Sequence, residues 1–269
     1  MKNNLSIRII TGLLFLPVFY FVAWKLPTAY FTALVMAGAA VGQYEFYRMA
    51  HARGSHPNVA LGTALGALVV LGFYHQSALG PFPVLSITAS TILVLAARLL
   101  SPRPVEGAVE DIASTLLGIF YVALLFAFQV SIRAGMHGKQ WLVFLYFVIW
   151  ASDIGAYSIG IPFGKHRLYE KVSPKKSIEG LIGALAAAAG MALLSRAWFM
   201  PPVGAGEAIA LGLVLASVGT VGDLAESLLK RAAGVKDSGG IIPGHGGVLD
   251  RMDSMLFAAP VLYFYLWMR

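Results

Sequence analysis

Long apolar stretches follow one another along almost the entire chain and are separated by short polar segments. Of the 269 residues, 58% are hydrophobic and only 12% are charged, whereas a typical soluble domain has about 25% charged residues. So few charged side chains cannot cover the surface of a water-soluble fold of this length. The composition therefore predicts an integral membrane protein, argues against a soluble enzyme, and excludes a disordered chain.

Nine of these stretches approach the length of about 20 residues that a membrane-spanning helix needs. They are Ile7–Trp24, Thr28–Tyr44, Val59–Tyr74, Pro83–Leu100, Ile112–Ile132, Trp141–Ile159, Ile178–Ala197, Glu207–Ala225 and Ser254–Met268. The first stretch is too long for the apolar region of a signal peptide, so we interpret it as a retained span. The predicted fold class is all-α: a polytopic helical membrane protein with about nine transmembrane helices.

The distribution of basic residues predicts the orientation of these helices, because lysine and arginine concentrate in cytoplasmic loops. With the N-terminus in the cytoplasm, fifteen of the 20 Lys and Arg residues lie on the inner side and five on the outer side. We therefore predict a cytoplasmic N-terminus. The same loops account for the net charge of +7, so we do not predict nucleic acid as a partner.

The acidic residues are concentrated in the second half of the chain. Residues 1–140 hold four of the 13 Asp and Glu residues, and residues 141–269 hold the other nine. We interpret 1–140 as an N-terminal transmembrane scaffold and 141–269 as a C-terminal catalytic transmembrane region, in one membrane unit without a separate soluble domain. In the scaffold, Glu45 with Arg48 is interpreted as structural.

The segment from residue 222 to residue 253 contains two pairs of carboxylates. Asp223 and Glu226 are three positions apart, as are Asp250 and Asp253, and this spacing places each pair on one face of a helix. Carboxylates are the hard oxygen ligands that Mg²⁺ takes together with substrate phosphates. We predict a divalent-cation site with Asp223, Asp250 and Asp253 as ligands and Glu226 as a further candidate.

Basic residues and glycines lie between the two carboxylate pairs. The basic residues suit phosphate oxygens and are Lys230, Arg231, Lys236 and Arg251. The glycine-rich turn allows backbone N–H groups to approach an anion, and its candidate binding residues are Gly244, His245, Gly246 and Gly247. Two alternatives stay open: a positively charged cytoplasmic loop for the basic residues, and a structural hydrogen bond for His245.

A second group of candidates lies upstream. Asp153 falls within an otherwise apolar predicted span, where a carboxylate is costly and marks a functional candidate, here a further metal ligand. The alternative is a helix-end carboxylate paired with a basic loop residue. Lys175 and Lys176 precede a helix that Ser177 is predicted to cap. Since positive charges oppose the dipole at a helix start, we expect these lysines to hold a phosphate, the alternative being contact with the membrane surface.

The segment from Ser227 to Asp253 resembles the signature of phosphatidate cytidylyltransferases, also called CDP-diacylglycerol synthases. The matching residues are Ser227-Leu-Leu-Lys230-Arg231, Lys236-Asp237, Pro243-Gly244-His245-Gly246-Gly247 and Asp250-Arg251-Met252-Asp253. The stretch from Asp153 to Lys165 and the sequence Ser173-Pro-Lys-Lys-Ser177 are similar to the region upstream of that signature in the family.

The resemblance implies that CTP and phosphatidate give CDP-diacylglycerol and pyrophosphate in phospholipid biosynthesis, with Mg²⁺ as cofactor. It implies a bacterial-type inner membrane and a site that faces the cytoplasm and the bilayer. A monovalent cation and a homodimer stay open. The residues for which we expect catalytic roles are Asp223, Lys230, Arg231, Asp250, Arg251 and Asp253. Those expected to bind substrate are Lys175, Lys176, Ser177, Lys236, Asp237, Gly244, His245, Gly246 and Gly247.

Two other functions would also use acidic residues near a membrane. An ion-coupled transporter would place them near the midplane of broken helices, often within internal repeats, whereas here they lie at predicted inner ends and no repeat is evident. A CDP-alcohol phosphotransferase would carry an Asp-Gly…Ala-Arg…Gly…Asp…Asp pattern, of which Asp250 and Asp253 give only a partial match. We therefore predict in-line attack by a phosphatidate oxygen on the α-phosphorus of CTP, catalysed by positioning and charge neutralisation.

Overall fold

The computed structural model describes residues 17–76, 80–241 and 246–269. The chain divides into two compact units. Unit 1 is formed by residues 1–134 and 232–251, and unit 2 by residues 135–231 and 252–269. The segment that follows residue 231 therefore returns to the unit that contains the N-terminal helices.

Unit 1 consists of helices joined by short connections. A π-helical turn at Phe21–Lys25 precedes α1 (Thr28–His51), which is followed by α2 (Val59–Tyr74) and α3 (Phe82–Leu99). The next helix is continuous but changes its winding. It comprises α4 (Ala108–Leu117), a π-helical turn at Gly118–Leu124, and α5 (Leu125–Ala134).

Unit 2 contains the remaining elements. They are α6 (Gly138–Phe163), β1 (Arg167–Tyr169), β2 (Ser173–Ser177), α7 (Ile178–Trp198), α8 (Ala205–Ala232) and α9 (Leu249–Met268), of which α8 ends and α9 begins in unit 1. Small residues bring α6 and α7 close together, since a Cβ added to Gly155 would lie 2.6 Å from the Cβ of Ala187. Such contacts replace the hydrophobic driving force that is absent between helices in lipid.

Five helices among the described residues are long and apolar enough to cross a membrane. They are Phe82–Leu99, Ala108–Ala134, Gly138–Phe163, Ile178–Trp198 and Ala205–Ala232, and Val59–Tyr74 is a shorter apolar helix. Each coincides with a predicted span, so the helical membrane class is confirmed. The count of nine spans and the cytoplasmic N-terminus stay predictions, and much of the first predicted span lies outside the described residues.

The prediction of an all-α chain needs one correction. β1 and β2 form an antiparallel two-stranded sheet, in which Arg167 pairs with Ser177 and Tyr169 with Ser173. Gly164 and Pro174 interrupt helical propensity between α6 and α7, and the backbone groups of this polar stretch then pair across a hairpin. Its sequence lacks the alternation of apolar and polar residues that predicts a strand.

Tyr47 of α1 fixes the packing of unit 1. Its side chain is fully buried, and its hydroxyl donates a hydrogen bond to the backbone oxygen of Thr115 at 3.0 Å. Gln43, one turn earlier on α1, donates through Nε2 to that hydroxyl at 3.3 Å. Gly118 leaves the space that the tyrosine ring occupies, because a Cβ at this position would overlap the ring.

The substitution Gly118→Ala should therefore destabilise the protein by about 1–3 kcal/mol, the usual effect of adding volume to a packed interior. The measurement is the thermal unfolding temperature of the purified protein in detergent. The control is Gly190→Ala in α7, where an added Cβ would meet nothing within 4 Å. Because alanine favours a helix over glycine, the control should keep or raise the unfolding temperature. Equal behaviour of the two variants would contradict the packing role of Gly118.

Candidate active site

The end of α8 carries several of the acidic and basic residues of unit 2. After its apolar part the helix continues through Asp223, Glu226 and Lys230, which lie on successive turns of one face. Glu226 is fully buried, and its Oε2 atom lies 2.8 Å from Nζ of Lys230. A buried charge is costly without a partner, so this ion pair allows the carboxylate to remain inside the helical packing.

Lys176 of β2 reaches Asp223 of α8. Its Nζ atom lies 2.5 Å from Asp223 Oδ2, and both side chains are partly exposed, at 25% and 31%. The residue after this lysine is fixed at the start of α7, because Ser177 Oγ accepts a hydrogen bond from Gly180 N at 3.1 Å and so caps the helix. The predicted cap is confirmed, and it fixes the end of the strand that carries Lys176.

Asp253 of α9 completes this group. Its carboxyl group lies within interaction range of Asp223, Glu226 and Lys230. We refer to Lys176, Asp223, Glu226, Lys230 and Asp253 as the unit 2 cluster; it combines three acidic side chains with two lysines.

Gly222 allows α8 and α9 to approach closely beside this cluster. A Cβ at Gly222 would lie 2.5 Å from the backbone oxygen of Asp253 and 3.0 Å from Cβ of Phe257. Only a glycine leaves enough room for this approach, as is common between membrane helices. The position of Asp253 relative to Asp223 and Glu226 therefore depends on a residue without a side chain.

Asp250 belongs to unit 1, where it orders the loop before α9. Its Oδ2 atom accepts hydrogen bonds from Ser238 N at 3.0 Å, Ser238 Oγ at 2.9 Å and Gly247 N at 2.8 Å. Gly246 adopts a positive φ of 83°, a conformation that glycine tolerates best. Asp250 thus binds its own loop through three donors, and its role as a metal ligand stays a prediction.

Glu45 of α1 also binds this loop. It is 1% exposed and accepts hydrogen bonds from Val248 N at 3.0 Å and Leu249 N at 3.0 Å. Glu45 was not predicted to take part in the site, since about two hundred residues separate it from the loop. The signal in the sequence that could have identified Glu45 is the presence of an acidic residue at the end of an apolar stretch.

The other buried acid at an end of the unit 1 helices makes contacts away from this loop. Asp111 is 6% exposed, accepts a hydrogen bond from His56 N at 2.6 Å and pairs with Arg98 Nε at 3.1 Å. A cavity of about 610 Å³ is lined by these residues together with His51 and Arg103. It includes none of the predicted site residues.

The remaining predicted site residues are mostly at the surface. Those that are exposed are Asp153, Lys175, Arg231, Lys236, Asp237 and Arg251. Arg231 Nε also donates to the backbone oxygen of Val172 at 3.4 Å. Exposed cationic groups are accessible to phosphate oxygens from water. Gly244 and His245 lie outside the described residues.

The predicted metal ligands are not gathered around one point. Within residues 17–76, 80–241 and 246–269, no three His, Asp or Glu side chains are grouped so that they could hold a metal ion. Asp223 and Glu226 instead pair with Lys176 and Lys230. The carboxylates of the unit 2 cluster fit Mg²⁺ by their chemistry, but their lysine partners would have to yield for three of them to share an ion.

Comparison with known proteins places the chain in a family. The cytidylyltransferase family model matches residues 6–269. The phosphatidate cytidylyltransferase of Bacillus subtilis is 35% identical over 266 residues, which cover 96% of each chain. The enzyme of Synechocystis is 32% identical over 88% of each chain. That of Staphylococcus aureus is 34% identical over 74% of this chain and 76% of its own. The chain therefore belongs to the cytidylyltransferase family, the family of these phosphatidate cytidylyltransferases.

Proposed function

We infer that the chain makes CDP-diacylglycerol and pyrophosphate from CTP and phosphatidate, as a nucleotidyltransferase of phospholipid biosynthesis. The family match over residues 6–269 and the names of the relatives support this activity. The observation that carries it in the structure is the unit 2 cluster, where an apolar helix ends in carboxylates and lysines. A lipid phosphate lies at such a boundary between apolar and polar surroundings, and a nucleotide can reach it from water.

The reaction needs little covalent chemistry from the protein. A phosphate oxygen of phosphatidate forms a bond to the α-phosphorus of CTP, and the bond from that phosphorus to the bridging oxygen of the β-phosphate breaks. Pyrophosphate leaves with the electron pair. The attacking oxygen is already anionic, so no general base is required, and catalysis rests on alignment and on neutralising negative charge.

We propose that the basic residues of the cluster supply part of this neutralisation. Asp223 and Glu226 hold the ammonium groups of Lys176 and Lys230 at 2.5 Å and 2.8 Å. Such ion pairs fix the direction of two flexible side chains before a substrate binds, which lowers the entropic cost of binding it. Arg231 follows Lys230 directly and is exposed, so it can contact phosphate oxygens from the water side.

We propose that Mg²⁺ binds at the carboxylates of this cluster, with Asp223 and Asp253 as ligands and Glu226 next to them. Support comes from the position of Asp253 within interaction range of Asp223 and Glu226, since a cation would offset the repulsion between neighbouring carboxylates. When bound, Mg²⁺ would neutralise charge on the reacting phosphates. Asp250 and Asp153 are the other carboxylates that the sequence suggests for this role.

We also propose that the signature segment faces the cytoplasm of a bacterial-type inner membrane, with nine spans and a cytoplasmic N-terminus. CTP is a cytoplasmic metabolite, and the excess of Lys and Arg in the predicted inner loops agrees with this orientation.

For the metal proposal, Asp253→Asn should reduce turnover by roughly 10²-fold, equivalent to about 3 kcal/mol of lost electrostatic stabilisation. Asparagine keeps the shape of the side chain but removes its charge. The assay is Mg²⁺-dependent release of pyrophosphate from CTP and phosphatidate in detergent, and higher Mg²⁺ should restore part of the activity. The control is Glu170→Gln at the exposed hairpin turn, which should stay within about two-fold of the wild type. Unchanged turnover of Asp253→Asn at limiting Mg²⁺ would remove Asp253 from the metal site.

For the lysines, Lys176→Ala should reduce turnover at least ten-fold, whereas Lys175→Ala should have a smaller effect because its side chain is exposed. Each of the two lysine variants is also made in a protein that carries Asp223→Asn. Side chains in contact give non-additive effects, so Lys176→Ala should cost less in the Asp223→Asn background than in the wild type. Lys175→Ala should cost the same in both. Additive effects for Lys176 and Asp223 would show that their ion pair does not contribute to catalysis.

The orientation can be tested with single cysteines, because the chain has no cysteine of its own. Gly240 is exposed in the signature loop, and Met136, which is 86% exposed, lies in the connection between α5 and α6. An impermeant thiol reagent added to intact cells should label Met136→Cys and spare Gly240→Cys. In inverted membrane vesicles the result should be reversed. Labelling of Gly240→Cys from outside would reject the nine-span orientation.

A further inference from the structure

We propose that Glu45 is a positioning residue of the cytidylyl transfer: from α1 it holds the two ends of the signature loop, at Ser238 and at Val248 and Leu249, in the positions that the reaction requires. Glu45 lies far from the signature in sequence, and the loop reaches it because both belong to unit 1. This role rests on the activity proposed above.

Both carboxylate oxygens of Glu45 are used by the loop. Oε1 accepts a hydrogen bond from Val248 N at 3.0 Å, and Oε2 accepts one from Leu249 N at 3.0 Å. Leu249 is the first residue of α9, and the first N–H groups of a helix have no partner within it. Glu45 therefore caps α9 from another helix, with its charge at the positive end of the helix dipole.

Two glycines of the signature leave the space that Glu45 occupies. A Cβ at Gly239 would lie 2.5 Å from Glu45 Oε1, and one at Gly247 would lie 2.6 Å from Glu45 Oε2. Gly247 was predicted to approach an anionic substrate, and the anion beside it in the structure is the Glu45 carboxylate. At least these two glycines are thus explained by a contact within the protein.

Ser238 connects Glu45 to Asp250. Its hydroxyl lies 3.3 Å from Glu45 Oε2 and 2.9 Å from Asp250 Oδ2. A hydroxyl has one proton to donate, so the two carboxylates share a single donor. Asp250 is also bonded to the backbone of Ser238 and Gly247. The orientation of this predicted catalytic carboxylate therefore depends on the loop that Glu45 anchors.

The test is the variant Glu45→Gln. Glutamine fits the same space but replaces one accepting oxygen by an NH₂ group, which cannot accept from Val248 N or Leu249 N. One of the two backbone donors then loses its partner. We expect kcat/KM for CTP to fall at least ten-fold, with a rise in KM for CTP, because the residues that Glu45 holds lie between Gly247 and Asp250, two predicted site residues.

The matched control is Asp111→Asn. Asp111 is also a buried acid of unit 1 that accepts a backbone hydrogen bond, but its partners are His56 and Arg98 rather than the loop. This variant should lower the unfolding temperature and leave KM for CTP within about two-fold of the wild type. If Glu45 had only a structural role, Glu45→Gln would also lower the unfolding temperature and leave KM for CTP unchanged. That result would overturn the proposal.

Hydrogen exchange gives a second readout that does not depend on activity. In Glu45→Gln, amide exchange of a peptide covering residues 246–251 should accelerate, while peptides from α6 and α7 stay unchanged. Unchanged exchange in 246–251 would also overturn the proposal.

If Glu45→Gln does not fold, the same two measurements, KM for CTP and amide exchange of residues 246–251, are made on Glu45→Asp. This variant keeps both oxygens and the charge but shortens the side chain by one methylene. A wild-type protein that forms no CDP-diacylglycerol from CTP would reject the proposed function. An active wild type with an unaltered Glu45 variant would reject only the role of Glu45.

Discussion

The placement of charge inside an apolar helical protein is the constraint on which this structure depends. Every ionised group that leaves water must find a partner, because an isolated buried charge is far more costly than any single packing contact is favourable. Glu226 satisfies this condition with Lys230, and Glu45 does so with backbone donors at the start of a helix. The functional residues are therefore fixed by their partners as much as by the helices that carry them.

The parts of the fold that could be predicted are those encoded locally. Apolar stretches located the long apolar helices, with ends that differ from the structure by up to seven residues. Ser177 could be identified as a cap because its capping hydrogen bond, from Gly180 N, spans only three residues. The hairpin and Glu45 could not be predicted. The hairpin has no apolar alternation, and the contacts of Glu45 join positions 193 to 204 residues apart, a separation that a single sequence does not reveal.

Asp250 and Asp253 illustrate the same limit within the signature. Their spacing indicates two side chains on one face of a helix, which suggested a common role. In the structure Asp250 accepts three hydrogen bonds from its own loop, whereas Asp253 lies within interaction range of Asp223, Glu226 and Lys230 in the unit 2 cluster. The two aspartates thus have the same chemistry but different surroundings. Tertiary packing, and not the local sequence pattern, determines which groups lie next to each carboxylate.

The close approach at Gly222 has a consequence for motion. Where one helix backbone lies against another with no room for a methyl group, axial sliding by one residue, about 1.5 Å, would bring larger side chains into that gap. The contact between Gly222 and the backbone of Asp253 therefore acts as a register lock between α8 and α9. During substrate entry and product release, this part of the helix pair therefore provides a fixed frame.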